Sequence, residues 1–285
     1  MANINELTVQ IVLYEETKEL IFDCLENIKN FKILILDNSN NLNLKKQIIE
    51  KFNIKEYFIP NKNLGYSKGH NFLSKMVDTK YILILNADCQ INEDSIKNLL
   101  SSYEKYTDSG ILGPTSFDKD FKYTYNGGQS FENENKTEIT EISGDTCFQK
   151  ILGSAMLIEK KLFLEVGMFN ENMFLFFSDY DLCKKINRSN KSVIQIRSAT
   201  SIHTHGKSKV KNIIKRIFLK EFNMTYDQLY YFYINKLENT LLSKLKKQQF
   251  NYLFKVISNL IIFKFDKSVY YYSKIIAYYK FVIKN

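Results

Sequence analysis

Two acid-bearing segments hold most of the chemistry this chain can perform. Asp88 closes the run Tyr81-Ile-Leu-Ile-Leu-Asn-Ala-Asp88, which delivers its carboxylate at the end of a near-continuous apolar stretch. Hard divalent cations such as Mg2+ or Mn2+ are held by one or two carboxylates together with phosphate oxygens, so the position suits a metal bound to a diphosphate. The second segment, Phe176-Phe-Ser-Asp-Tyr-Asp-Leu-Cys183, brings Asp179 and Asp181. A carboxylate there can serve as the general base that takes the proton of an acceptor hydroxyl. Together the two segments point to transfer of a sugar from a nucleotide. Each also has a plainer reading: a turn before a helix at Glu93 for Asp88, and a helix cap for Asp179 and Asp181.

Three further segments have polar groups at useful spacings. In Asp37-Asn-Ser-Asn40 a carboxylate and amides can meet a base or ribose, or they can cap a helix. The stretch Asn61-Lys-Asn-Leu-Gly-Tyr-Ser-Lys-Gly-His-Asn71 reads as a loop opening a helix. Its Gly65 and Gly69 permit close backbone approach and Lys68 can face phosphate, although the spacing of a Walker loop is absent. His203 and His205 lie in Ile202-His-Thr-His-Gly-Lys-Ser208. Alternation along a strand puts both on one face, where one imidazole can join Asp88 on a metal; packed or surface histidines are the alternative, and two histidines do not make a zinc site.

The elements that must position these groups follow from the apolar pattern. Residues 7–14, 32–36, 54–59 and 81–85 are short runs of the kind buried on both faces of a parallel sheet. Between them, 17–28, 44–52 and 70–77 show helical spacing, with Leu20, Ile21, Cys24, Leu25 and Ile28 on one face of the first. Alternation of strand and helix predicts an open α/β sheet whose ligands lie beyond the carboxyl ends of the strands. A polar insert follows to about residue 146, with Asn126-Gly-Gly128 as a turn. The apolar run 151–159 contains Gly153, a helix is expected over 181–190, and one or two strands over 193–202 end at His203.

Charge divides the chain. Residues 1–205 carry 24 Lys+Arg against 27 Asp+Glu, whereas 206–285 carry 16 against 4, so the net +9 belongs to the tail. In that tail Val210, Ile213, Ile214, Ile217, Phe218 and Phe222 recur at helical spacing among lysines, which predicts about three amphipathic helices. The four cysteines are far apart and form no CxxC pair, which argues against a zinc ribbon or a disulfide framework and for a reducing cytosol. No basic start with an apolar run opens the chain, and no stretch approaches 18 uninterrupted apolar residues. The expectation is a cytoplasmic protein that is neither exported nor membrane-spanning.

Taken in order, these residues resemble the family 2 inverting glycosyltransferases of the GT-A fold, especially the bacterial rhamnosyltransferase-like branch. The resemblance covers about residues 7–208 and rests on the first strand ending at Tyr14, Asp37-Asn-Ser, Asn63 through Asn71, Leu85-Asn-Ala-Asp88, Ile151-Leu-Gly-Ser-Ala-Met-Leu-Ile158, Gly167-Met-Phe-Asn-Glu171 with the Asp179 segment, and His203 with Ser208. It implies a GT-A catalytic domain over 1–208, an open mixed sheet flanked by helices, followed by a basic, aromatic-rich helical extension over 209–285. Asp37 then matches the base-recognising acid, and Asn63, Gly65, Gly69 and Asn71 the loop lining the nucleotide. Tyr14, Lys68, Asn86 and Gly153 join them around the donor. Asp88 matches the last position of the DXD-like metal motif, His203 the histidine that can complete the Mg2+ or Mn2+ site, and Asp179 the catalytic base. Three positions depart from the family pattern. Tyr14-Glu15 stands for Tyr-Asn, Asn86 replaces the first acid of a full DXD, and Ser178 replaces an acidic neighbour of Asp179, a loss expected to lower the pKa of the base.

The resemblance implies metal-dependent, inverting transfer from a nucleoside-diphosphate sugar, dTDP-rhamnose or a UDP-hexose, to a hydroxyl of a cell-surface glycan or lipid-linked acceptor. The tail is expected to lie on the anionic inner face of the cytoplasmic membrane, or to pack as a homodimer. Two rivals remain at this stage: a nucleic-acid-binding protein using the basic tail, for which no recognised motif is present, and a sugar nucleotidyltransferase.

Overall fold

The computed structural model describes residues 3–124, 126–130, 141–204 and 212–284, with the side chains of 238–241 left out. His205, Ser208 and Val210 fall outside the described residues. The chain divides into two compact units, 1–170 with 179–209, and 171–178 with 210–285. The second unit therefore takes in eight residues that precede Asp179 as well as the tail.

The first unit opens with β1 (Leu7–Leu13), α1 (Lys18–Ile28), β2 (Lys32–Asp37), α2 (Leu42–Lys51), β3 (Glu56–Phe58), α3 (Gly65–Met76) and β4 (Tyr81–Leu85). It continues through β5 (Cys89–Ile91), α4 (Glu93–Lys105), β6 (Ser109–Phe117), β7 (Tyr123–Thr124), β8 (Gly127–Gly128), β9 (Thr146–Phe148) and β10 (Lys150–Ile151). It closes with β11 (Ala155–Glu159), α5 (Lys160–Glu165), α6 (Ser178–Arg188) and β12 (Ser192–His203). The main sheet runs β3-β2-β1-β4-β11-β6-β12-β5. The first four of these strands are parallel, β11 is antiparallel to both β4 and β6, and β5 is antiparallel to β12. The result is a mixed α/β sheet, as the resemblance implies.

Alternation along each strand divides the core between two faces. Leu7, Val9, Ile11 and Leu13 of β1, with Tyr81, Leu83 and Leu85 of β4, pack beneath Ile21, Leu25 and Ile28 of α1, Ile48 of α2 and Leu99 of α4. On the opposite face Ile82 and Ile84 meet Leu73 of α3, Phe163 of α5, and Leu182 and Ile186 of α6. All five residues of β4 are buried, so a strand at mid-sheet carries the peptide that exits toward Asp88.

Two local readings are corrected. The stretch 61–71, read as a loop, is helical from Gly65 onward. The entry is held from outside, by Asn38 Oδ1 accepting the Leu64 N–H (2.8 Å) and by Asn63 Oδ1 accepting the Gly65 N–H (2.8 Å), while Gly65 takes a φ of 73°. Such a start depends on a partner 26 residues away in sequence, and local spacing carries no trace of it. Asn126-Gly-Gly128, read as a turn, contributes β8, which pairs antiparallel with β10. Its Gly127 N–H donates to Gln195 Oε1 (3.0 Å), a partner on the distant β12.

The second unit contains α7 (Ile213–Ile234), α8 (Glu238–Ile261) and α9 (Phe265–Lys284). Tyr226, Leu229, Leu245, Ala277, Tyr278 and Phe281 form its core. Asp227 is fully buried, and its carboxylate accepts the backbone N–H groups of Phe174 (3.1 Å), Leu175 (2.9 Å) and Phe176 (2.9 Å). Burial, opposed by those three N–H groups, pushes it up to about 6.

Candidate active site

Strands β1, β2 and β4 run parallel, so the segments leaving their carboxyl ends share one edge of the sheet. These segments are 14–16, 37–41 and 86–88. The capping alternatives find other residues: Asn41 caps α2 through the Leu44 N–H (3.0 Å) and Asn92 caps α4 through the Ser95 N–H (2.8 Å). Neither Asp37 nor Asp88 is used as an N-cap.

Asp88 meets the far edge of the sheet. The register of β5 on β12 sets Cys89 opposite His203, and the Asp88 carbonyl accepts both the N–H (3.0 Å) and the hydroxyl (3.1 Å) of Thr204. This brings Asp88 Oδ1 to 3.3 Å from His203 Nε2, with both side chains still in reach of solvent. Strand β5 is only three residues long and was not anticipated from the sequence.

The β4 exit is tied directly to the segment around Asp179. The Asn86 N–H donates to the Ser154 carbonyl (2.9 Å), and the Gly153 N–H donates to Asp179 Oδ2 (3.0 Å). The Tyr66 hydroxyl donates to the Gly153 carbonyl (2.7 Å). A Cβ built on Gly153 would lie 2.5 Å from that hydroxyl and 3.4 Å from the Cβ of Asp179, so a glycine is needed for the close approach. The break at Gly153 also splits the expected run 151–159 into β10 and β11.

Asp179 and Asp181 are separated by their surroundings. Asp181 is buried and paired along α6 with Lys185 at 2.9 Å. Asp179 accepts the N–H groups of Gly153 and Tyr180 (3.0 Å each), and burial raises its carboxyl above the usual range against the lowering effect of those N–H groups and of Lys150. The loss of an acidic neighbour is thus not the dominant influence on this acid. Lys150, only 1% exposed on β10, donates to the Tyr180 hydroxyl and sits over its ring, 3.7 Å from the centroid.

Several residues of the expected nucleotide-binding set are engaged within the protein. Asp37 is fully buried; its oxygens accept the Ser39 N–H (2.8 Å) and hydroxyl, the Asn41 N–H (3.3 Å) and the Tyr57 hydroxyl (3.0 Å). Four donors match the acceptor capacity of a carboxylate, so a contact with a base would displace one of them. Asn71 is bonded to both the carbonyl (2.9 Å) and the N–H (3.1 Å) of Phe169. Gly69 lets α3 approach β1, where a Cβ would stand 3.0 Å from Val12 Cγ2. Lys68 is exposed and Tyr14 is half-buried. The neighbouring His70 lies in the interior, where burial pushes it down to about 3 and keeps it neutral.

Sequence reasoning missed Glu16. It is half-buried and accepts the Tyr14 N–H. Burial pushes its carboxyl up to about 7, and the charges of Asp37 and Asp88, two of the acids already identified, add to the rise. Its one local signal was its place beside Tyr14-Glu15, and Glu15 takes a left-handed φ of 59°. Lys150 had no signal, being one basic residue among 40.

The pair of donors, one carboxylate and one imidazole, fits a Mg2+ or Mn2+ ion that draws its remaining ligands from diphosphate oxygens and water. Among the described residues no cluster of three or more metal-binding side chains occurs. Asn86 supplies no acid, and the ion's other ligands would have to come from elsewhere.

These acids share one edge of a parallel sheet, and sequence comparison names the family of the chain. The profile of glycosyl transferase family 2 matches residues 8–166, more than half of the chain, which therefore belongs to that family and is a glycosyltransferase. Among curated relatives, the chain is 23% identical over 213 residues to the low-salt glycan biosynthesis hexosyltransferase Agl10 of Haloferax volcanii, covering 70% of this chain and 67% of that protein. It is 26% identical over 190 residues to the dTDP-rhamnosyl transferase RfbF of Shigella flexneri, covering 64% of this chain and 63% of that protein. Among solved structures, the mannosyltransferase PcManGT of Pyrobaculum calidifontis, in complex with GDP-Man and Mn2+, superposes with a TM-score of 0.56 at 12% identity, over 98% of this chain and 88% of that one. That likeness supports the fold alone.

Proposed function

We propose that the protein transfers a sugar, with inversion, from a nucleoside-diphosphate donor to a hydroxyl of a glycan or lipid-linked acceptor. The observation that carries the reading is the Gly153–Ser154 peptide, hydrogen-bonded on one side to Asn86 beside Asp88 and on the other to Asp179. One dipeptide thus sets the position of the base relative to the residues that would hold the metal. The acceptor oxygen forms the new bond to the anomeric carbon, the bond from that carbon to the diphosphate breaks with its electron pair leaving on the nucleotide, and the proton passes to the Asp179 carboxylate. Burial helps here, since a raised carboxyl is a stronger base once ionised. Asp88 and His203 would hold Mg2+ or Mn2+, which neutralises charge on the leaving diphosphate when bound. Gly153 and Tyr180 orient the base through their N–H groups.

Likeness to a dTDP-rhamnosyl transferase and a hexosyltransferase favours dTDP-rhamnose or a UDP-hexose as donor. A donor screen with Mn2+ or Mg2+, reading nucleoside-diphosphate release, tests the reading. Asp179→Asn is expected to retain donor binding while turnover falls by about 100-fold or more. Wild-type turnover in that variant would remove Asp179 from the role of base.

A further inference from the structure

The outer face of α8 is apolar where a water-facing helix is normally polar. Phe250, Leu253, Phe254, Ile257, Leu260 and Ile261 are all exposed, and their spacing places them on one stripe about 16 Å long. Phe250 is 82% exposed, Phe254 66% and Ile261 71%. The stripe continues through Ile262, Phe263 and Phe265 in the turn to α9 and at its start. The helical cluster packs α8 through Leu245, with Leu242 and Tyr252 partly buried against it, and none of the six stripe residues belongs to that cluster.

Phe263 strengthens the case. It is 79% exposed, yet it occupies a left-handed φ of 56°, a conformation that favours glycine and costs a side-chain-bearing residue about 1–2 kcal/mol. Its aromatic neighbour is Phe265, with centroids 6.2 Å apart, itself exposed. The fold therefore presents a bulky phenyl ring to solvent at a position where a smaller residue would be less strained.

Charge selects the occupant. Lys246 and Lys247 continue the stripe one turn before Phe250, and Lys264 and Lys267 flank its other end, all of them exposed. From residue 242 to 284 there are nine lysines, and Asp266 is the sole acid. Two copies meeting through this stripe would bring lysine ends together, whereas a surface with hydrocarbon below a layer of phosphates satisfies both features. No helix among the described residues is long and apolar enough to cross a bilayer. A one-sided stripe between lysines is the pattern of a helix lying in the interface plane. We propose that the α8 stripe and the Phe263 turn dock the protein on an anionic lipid surface.

This inference stands apart from the catalytic reading and is tested separately by flotation of the purified full chain with vesicles of phosphatidylcholine, alone or mixed with phosphatidylglycerol. The wild type should float with the mixed vesicles. The variant Phe254→Ser/Ile257→Ser/Ile261→Ser should bind at least about tenfold more weakly, with unchanged circular dichroism and unchanged donor turnover in solution. Lys246→Gln/Lys247→Gln/Lys264→Gln should lose about tenfold or more on anionic vesicles, as should the wild type when salt is raised. Flotation of the apolar variant at the wild-type level would overturn the proposal, as would a wild type that stays with the unbound fraction. A solution dimer that the apolar variant splits, without vesicle binding by either form, would assign the stripe to a second copy instead. Asp179→Asn should float normally, so failure at the active site and failure at the stripe are distinguishable.

Discussion

Glu16→Gln should remove a pH dependence of stability that can be worked out from the structure. The Glu16 carboxyl is moved from 4.5 to about 7, first by burial and then by the charges of Asp37 and Asp88. That shift corresponds to about 3.4 kcal/mol in favour of the protonated form in the folded chain. The folded pKa lies above the unfolded one, so this group's contribution is complete below about pH 4.5 and is lost as pH rises through about 7. Between pH 5 and 8 the loss amounts to about 2.5 kcal/mol, an upper bound because solvent reaches part of the side chain. Glutamine is neutral throughout and keeps an oxygen for the Tyr14 N–H. The variant should therefore gain stability relative to wild type as pH rises across that window. Urea melts of both proteins at half-unit steps, followed by circular dichroism, measure the difference. Asp227, pushed up to about 6, titrates in the same window but is common to both proteins and cancels. A difference that stays constant from pH 5 to 8 would refute Glu16 as a half-buried acid raised by desolvation and by the charges of Asp37 and Asp88.

Other substitutions probe the remaining contacts. His203→Ala should weaken Mn2+ binding to the protein with nucleoside diphosphate present by about tenfold or more, measured calorimetrically, and an unchanged affinity would remove the imidazole from the metal site. Gly153→Ala places a methyl 2.5 Å from the Tyr66 hydroxyl and should cost about 1–3 kcal/mol in thermal or urea melts, part of which Tyr66→Phe in the same background should recover. Asp227→Ala orphans the N–H groups of Phe174, Leu175 and Phe176 and should cost about 2–4 kcal/mol, with Asp227→Asn losing less because one acceptor oxygen remains.

Much of the first unit was legible in the sequence because its signals are local. Strands β1, β2 and β4 coincide with the short apolar runs, and α1 buries Ile21, Cys24, Leu25 and Ile28 from the stripe that spacing picked out. The expected helical tail likewise contains α7, α8 and α9. Misreadings fell where a distant partner decides the local conformation. Asn38 starts α3 five residues before the apolar periodicity does, and β10 turns a glycine pair into a strand. The pKa of Asp179 was argued from a missing neighbour, whereas burial, which no neighbour in sequence reveals, is the larger influence.

Residue order alone specified an α/β fold, the family of the chain and the acids at the ends of its strands, because periodicity and motif spacing are properties of neighbouring residues. Tertiary structure settled what those acids meet. Pairing of β5 with β12 brings His203 to Asp88 across more than a hundred positions, and the Gly153-Ser154 segment joins Asn86 to Asp179. The same folding engages Asp37, Asn71 and Gly69 in internal contacts and raises Glu16 from a surface-like acid to one titrating near neutrality. Burial and charge proximity depend on distances in space, and those distances exist only once the chain has folded.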